Sequence, residues 1–180
     1  MTVSNPLLCT PPRFVEIVRE FFGGQIDLDP CPNLASTVCA ARECYRPECN
    51  GLVTPWTGRV YVNPPWGYDY LTEAKTLVPW LAKCAGEANH GAEIIAMIPT
   101  APGSECWRDH VLPFVKAVCF VDTEGATPIF MAQPDGTAGE EVAVSFLYYG
   151  MKIERFAHGT NPLHSPFAGF ASIGSVWRPA

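Results

Sequence analysis

No run in this sequence is apolar for long enough to cross a bilayer, and the opening Met-Thr-Val-Ser-Asn-Pro carries neither a basic segment nor an apolar core behind it. Neither a membrane anchor nor an export signal is read, and the expected location is the cytoplasm. Positive charge is scarce as well. Twelve Lys and Arg against 18 Asp and Glu leave a formal net charge of −6, the wrong sign for a protein that grips long nucleic acid through its overall field. Any nucleic-acid contact must then be local or assisted. No cluster of basic residues marks a base-reading helix: Arg13, Arg42, Arg46, Arg59 and Arg108 are scattered, and most read as solvated surface charges. There is no Gly-x-Gly-x-x-Gly phosphate loop and no internal repeat. None of the eight cysteines forms a Cys-x2-Cys pair. In a reducing compartment they are expected as free thiols, and no metal site is assigned to Cys31, Cys39, Cys44 and Cys49 despite their proximity in sequence.

What is present is enough apolar material for one core. A chain of 180 residues with 48% hydrophobic composition reads as a single domain over residues 1–180. Phe14, Ile17, Val18, Phe21 and Phe22 recur at helical spacing, so the stretch 10–22 is expected to be a helix, with Thr10 as N-cap, Pro11 in the first turn and Gly23-Gly24 as the stop. Gln25 to Leu28 reads as a buried strand and Arg59 to Val62 as another. Tyr70 to Ala85 reads as a helix kinked at Pro79, with Trp80 in the core. Glu93 to Ile98 and Ala117 to Val121 read as strands on either side of a helix from Ser104 to Leu112. Too few residues separate the first two strands for two full strand-helix units. The expected architecture is therefore α/β with a reduced, mostly parallel sheet and helices on both faces. Strands around 128–131 and 142–149, flanking an Asp-Gly turn, are expected to form an antiparallel hairpin at the sheet's C-terminal edge. The stretch 158–180, rich in Gly, Pro, Ser and Phe, is expected to be an irregular tail.

The chemistry concentrates in Asn63-Pro64-Pro65-Trp66, directly after the strand from Arg59. Two prolines end a sheet ladder, which sets the tetrapeptide at a strand's carboxyl end, where open α/β sheets bind ligands. The residues suit a flat base with an exocyclic amine. Such a nitrogen is a poor nucleophile because its lone pair is delocalised into the ring. The Asn63 side-chain oxygen can accept one N–H and the Pro64 carbonyl the other, drawing the nitrogen toward tetrahedral geometry. Pro65 restricts Pro64 to an extended conformation, which aims that carbonyl before substrate arrives. Trp66 is read as an exposed aromatic for stacking on the base, a contact worth roughly 1–3 kcal/mol. The same four residues also read as no more than a proline-rich turn.

Upstream, the first strand ends in Asp27-Leu28-Asp29-Pro30. Asp27 and Asp29 are expected to face opposite ways and do different work. A carboxylate at that edge can take a ribose hydroxyl or balance a cation, or simply cap a turn.

Taken together, Thr10-Pro11-Pro12, Asp27-Leu28-Asp29-Pro30, Asn50-Gly51-Leu52, Trp56, Asn63-Pro64-Pro65-Trp66 and Ile98-Pro99 before Trp107, in that order, resemble the phage DNA adenine-N6 methyltransferase (Dam-like) family over about Thr10 to Gly150. The resemblance implies a Rossmann-like methyltransferase fold binding S-adenosylmethionine. By that resemblance Thr10 and Pro11 border the cofactor's methionine end, Asp27, Asp29 and Pro30 floor its pocket, and Asn50 to Leu52 lie near its adenine. Asn63, Pro64, Pro65 and Trp66 form the catalytic motif acting on DNA. Protein glutamine-N5 methylation, cytosine-N4 methylation and a non-catalytic binding module of the same fold are the alternatives. So small a chain leaves recognition of DNA to local contacts, a second copy or a partner.

Overall fold

The computed structural model describes residues 9–32, 36–45, 48–66, 68–69, 74–121, 129–132 and 138–158. Arg46, residues 70–73, the Asp-Gly loop at 133–137 and the tail 159–180, all read above from sequence, lie outside them.

The first helix, α1 (Pro12–Phe21), buries Phe14, Val15, Val18 and Phe21. Its start differs from expectation. Pro11 occupies the cap position without a side-chain capping bond, and Pro12 takes the first turn, where a missing N–H costs nothing. Thr10 is not the cap; its hydroxyl is engaged elsewhere. The helix stops at Gly23 and Gly24, whose φ angles of 78° and 102° are open to glycine and bring their N–H groups onto the Glu20 and Arg19 carbonyls.

Next come β1 (Leu28–Asp29), β2 (Arg42–Glu43), β3 (Arg59–Val62), β4 (Tyr68–Asp69) and β5 (Ala74–Lys75). The second half holds α2 (Leu77–Asn89), β6 (Glu93–Pro99), a π-helical turn (Trp107–Val111), β7 (Ala117–Phe120), β8 (Ile129–Ala132), β9 (Ala138–Val142), β10 (Val144–Tyr149) and α3 (Ile153–His158). Helix α2 begins later than the sequence reading put it. Pro79 is its third residue, in the first turn where N–H groups have no intrahelical partner, so it starts the helix rather than kinking it. Trp80 is buried as expected.

Six strands form one sheet in the order β2-β1-β3-β6-β10-β7. The first four are parallel, and β10 is antiparallel to both neighbours. The hairpin expected at the C-terminal edge is corrected here. β10 lies inside the sheet between β6 and β7, while β8 and β9 pair only with each other. Every residue of β10 is buried, in keeping with its place between two paired strands.

Alternation sorts the core into two layers. Tyr61, Ile95, Met97, Phe146 and Tyr148 face α1 and Phe156. Val60, Val62, Ile94, Ile98 and Leu147 face α2 and the π-helical turn. Helices thus cover both faces. Leu28 belongs to the α2 side, so its neighbours Asp27 and Asp29 share the α1 side instead of opposing each other. They differ in position along the chain, one before β1 and one at its end. Arg59 is likewise no solvated surface charge. Its guanidinium grips both Asp27 carboxylate oxygens at 2.7 and 2.8 Å and donates to the Phe22 carbonyl at 2.9 Å, tying β1, β3 and the end of α1 together. The cysteine reading changes too: Cys44 and Cys49 are joined in a disulfide, while Cys31 and Cys39 are free.

Candidate functional site

Strand order reverses between β1 and β3: the chain runs from β1 outward to β2, then returns to the other side of β1 and continues through β3 to β6. The carboxyl ends of β1 and β3 therefore flank a topological switch point, the usual ligand crevice of an open α/β sheet. Asp29 ends the first of these strands and Asn63 follows the second.

A single residue joins them. The Cys31 N–H donates to Asp29 Oδ1 at 3.1 Å, and the Cys31 thiol donates to the Asn63 backbone carbonyl at 3.4 Å. Asp29 is 3% exposed. Burial is the main reason its carboxyl is pushed up to about 7, with the nearby Glu43 charge adding to the rise, while hydrogen bonds from Cys31 and Ser36 oppose it. An acid so placed is poised between neutral and charged near physiological pH.

Asn63 is anchored from beneath. Its Nδ2 donates to Thr10 Oγ1 at 3.2 Å, and that hydroxyl lies 2.9 Å from the buried Tyr61 hydroxyl. With the amide nitrogen so occupied, the amide oxygen points away from Thr10 and has no donor among the described residues. The Pro65 carbonyl accepts the Thr76 hydroxyl at 2.9 Å, whereas no described residue donates to the Pro64 carbonyl. Among the described residues, then, neither the Asn63 amide oxygen nor the carbonyl of the buried Pro64 has a donor. Trp66 departs from its expected exposure. It is half-buried against the α1-side core, and its Nε1 is buried with no hydrogen-bond partner among the described residues.

The third segment comes from the loop at Asn50. Asn50 Oδ1 accepts the Leu52 N–H at 3.1 Å, a side-chain-stabilised turn. Gly51 is pressed onto Pro30 so closely that a Cβ there would lie 1.9 Å from the Pro30 carbonyl oxygen. The Trp56 indole donates to the Gly51 carbonyl at 2.8 Å and stacks on Trp80 of α2, which holds the loop in place. Leu52 packs with Cys31 against the α2-side core.

The structure therefore gathers Thr10, Asp29, Pro30, Asn50, Leu52, Asn63 and Pro64 at one end of the sheet, with Pro11 and Pro65 as chain neighbours. Asp27 is not among them, since Arg59 occupies both of its oxygens and holds its carboxyl below the ordinary range through that hydrogen bond. Two supporting residues escaped the sequence reading. Tyr61 stands two before Asn63, so period-two alternation sets both on one face; a phenol in an otherwise aliphatic strand was the available signal. Thr76 had none, because it reaches Pro65 only through the chain's return.

Fold and site together define a protein of the open, mostly parallel α/β class, with a buried carboxylate and the Asn63-Pro64 carbonyl groups at its switch point. More particularly, the chain belongs to the DNA N-6-adenine-methyltransferase (Dam) family, whose model matches residues 4–154. That span contains every site residue named above. Searches of curated proteins and of solved structures return no match. No described helix is long and apolar enough to cross a membrane.

Proposed function

We propose that the protein transfers a methyl group from S-adenosylmethionine to the exocyclic N6 amine of adenine in DNA. The observation that carries this reading is a pair of adjacent acceptors without a donor among the described residues: the oxygen of an Asn63 carboxamide tethered by its nitrogen and the Pro64 carbonyl. An acceptor pair suits a group with two N–H bonds and rejects a carbonyl. Family membership supports adenine as the bearer of that amine.

The site's residues fit the cofactor. Asp29, buried yet poised near neutrality, can balance a cationic or hydroxylated group at the end of β1. The Gly51–Pro30 contact leaves the Asn50–Leu52 turn as a wall beside it. We assign Thr10 and Pro11 to the border of the methionine end, Asp29 and Pro30 to the floor and Asn50 and Leu52 to the adenine side. Asp27 keeps a structural role. When bound, the cofactor supplies an electrophilic methyl group. The protein's own contribution is to hold the amine. Asn63 Oδ1 and the Pro64 carbonyl accept its two N–H bonds and turn its lone pair out of the ring's conjugation, and Pro65, fixed by Thr76, keeps the Pro64 carbonyl aimed. The exposed part of Trp66 stacks on the base, offsetting the cost of taking it out of the helix. With a net charge of −6, DNA is held through local contacts or with a partner's help.

The test is transfer of radiolabelled methyl to adenine-containing DNA, with digestion products resolved so that N6-methyladenine is distinguished from N4-methylcytosine. Asn63→Ala should abolish label and leave cofactor affinity, measured by calorimetry, intact. Wild-type protein that binds the cofactor but labels no DNA adenine would sink the reading.

A further inference from the structure

Beneath the acceptor pair runs a chain of hydrogen bonds with no part in core packing alone. Asn63 Nδ2 meets Thr10 Oγ1 at 3.2 Å, Thr10 Oγ1 meets the Tyr61 hydroxyl at 2.9 Å, and the Tyr61 hydroxyl donates to Met97 Sδ at 3.7 Å. Thr10 is 5% exposed, and Tyr61 and Met97 are fully buried. The three residues come from the segment before α1, from β3 and from β6, so the chain spans three separately placed elements.

We propose that Thr10 and Tyr61 are positioning residues that lock the Asn63 carboxamide with its oxygen toward the substrate, and so make the site selective for amino over carbonyl groups. The proposal rests on the amine-methylation reading above. An asparagine amide has two ends of nearly equal size, and an untethered one can turn over. Turned over, Asn63 would offer N–H donors, the wrong complement for an amine and the right one for a base carbonyl. The hydroxyl chain opposes that. A thioether sulfur accepts and never donates, so Met97 draws the Tyr61 proton. The Tyr61 oxygen is then free to accept from Thr10, and the Thr10 oxygen to accept from Asn63 Nδ2. Turning the amide over would require reversing every bond and would leave the sulfur without its donor. Thr10, Tyr61 and Met97 lie away from solvent, where such bonds reinforce one another and are costly to leave unmade. Tyr61 cannot relieve the chain by ionising, because burial raises its phenol far above the ordinary range.

Thr10→Val keeps the shape and removes the hydroxyl; Thr10→Ser keeps the hydroxyl; Tyr61→Phe removes the next link. In single-turnover methyl transfer with saturating cofactor and DNA, Thr10→Val should lower the rate about tenfold or more, Tyr61→Phe should lower it less, and Thr10→Ser should restore it. Cofactor affinity by calorimetry should not move in Tyr61→Phe, whose side chain is buried beneath the site. In the full 15N-labelled chain, the Asn63 side-chain amide pair, assigned by its loss in Asn63→Ala, should rotate slowly in wild type and faster in Thr10→Val. Full transfer by Thr10→Val, or equal loss in Thr10→Ser, would overturn the proposal. An amide pair indifferent to Thr10→Val would do the same. If wild type methylates no adenine while the amide pair still answers to Thr10→Val, the adenine reading falls and the tether stands.

Discussion

Replacing Asp29 by Asn should make the protein more stable and less able to bind its cofactor, and the size of the first effect should depend on pH in a defined way. The carboxyl of Asp29 rises from an ordinary 3.8 to about 7 in the folded chain, chiefly because it is buried. Between those two values the unfolded chain has released a proton that the folded chain still holds. Stability therefore falls as pH rises from about 4 to about 7 and is level above that. At 1.36 kcal/mol per unit the full penalty is about 4 kcal/mol. Asn is neutral at every pH and keeps an oxygen to accept the Cys31 N–H now bound to Asp29 Oδ1, so Asp29→Asn should escape the penalty without opening a cavity. Urea titrations of both proteins at pH 4 and at pH 8 measure the difference directly. It should be near zero at the lower pH and approach about 4 kcal/mol at the higher, or about 8 °C or more in Tm for a chain of this size. A difference that does not vary with pH, or an Asn variant less stable than wild type at pH 8, would refute the account of Asp29. Saturating cofactor should narrow the gap, because ligand binding stabilises only the protein that still binds it.

The remaining expectations concern how the site is framed. Gly51→Ala forces a Cβ into the Pro30 backbone, which has no flexible side-chain end to move aside; it should cost about 1–3 kcal/mol by thermal unfolding and weaken cofactor binding measured by calorimetry. Asp27→Asn should cost about 1.5–3 kcal/mol at pH 7 by loosening the Arg59 pair, with cofactor affinity unchanged. Since Arg59 holds the Asp27 carboxyl below its ordinary value, the wild-type advantage is fully present above about pH 4 and disappears as pH falls through the lowered value. Paired acid-unfolding curves check that sign.

Local signals made much of this legible in the sequence. Proline followed by an apolar face and a Gly-Gly stop located α1, and the continuous apolar runs located β3 and β6, because strands buried on both faces need no alternation. The tetrapeptide's place at a strand end followed from proline's inability to continue a ladder. The errors arose where a residue's partner is distant in sequence. Thr10 looks like a helix cap to its neighbours, and only the arrival of Tyr61 and Asn63, 51 and 53 residues on, diverts its hydroxyl. Asp27 looks like a second pocket carboxylate until Arg59 closes on it. The run Val144 to Tyr149, without a charged residue, carried the sign of an interior strand, but the nearby Asp-Gly drew the reading to a hairpin at the edge.

The interior place of β10 also constrains the order in which the chain can fold. β6 and β7 are made well before residues 144–149, yet they do not touch each other in the finished sheet; β10 must be inserted between them. Until it arrives, two strands from the most apolar part of the chain each present an unpaired edge, the condition under which chains join edge to edge. β10 thus covers one edge of each of these strands at once. A chain released before Val144 would carry its Asn63 motif on a four-stranded sheet, with β7 left without its partner.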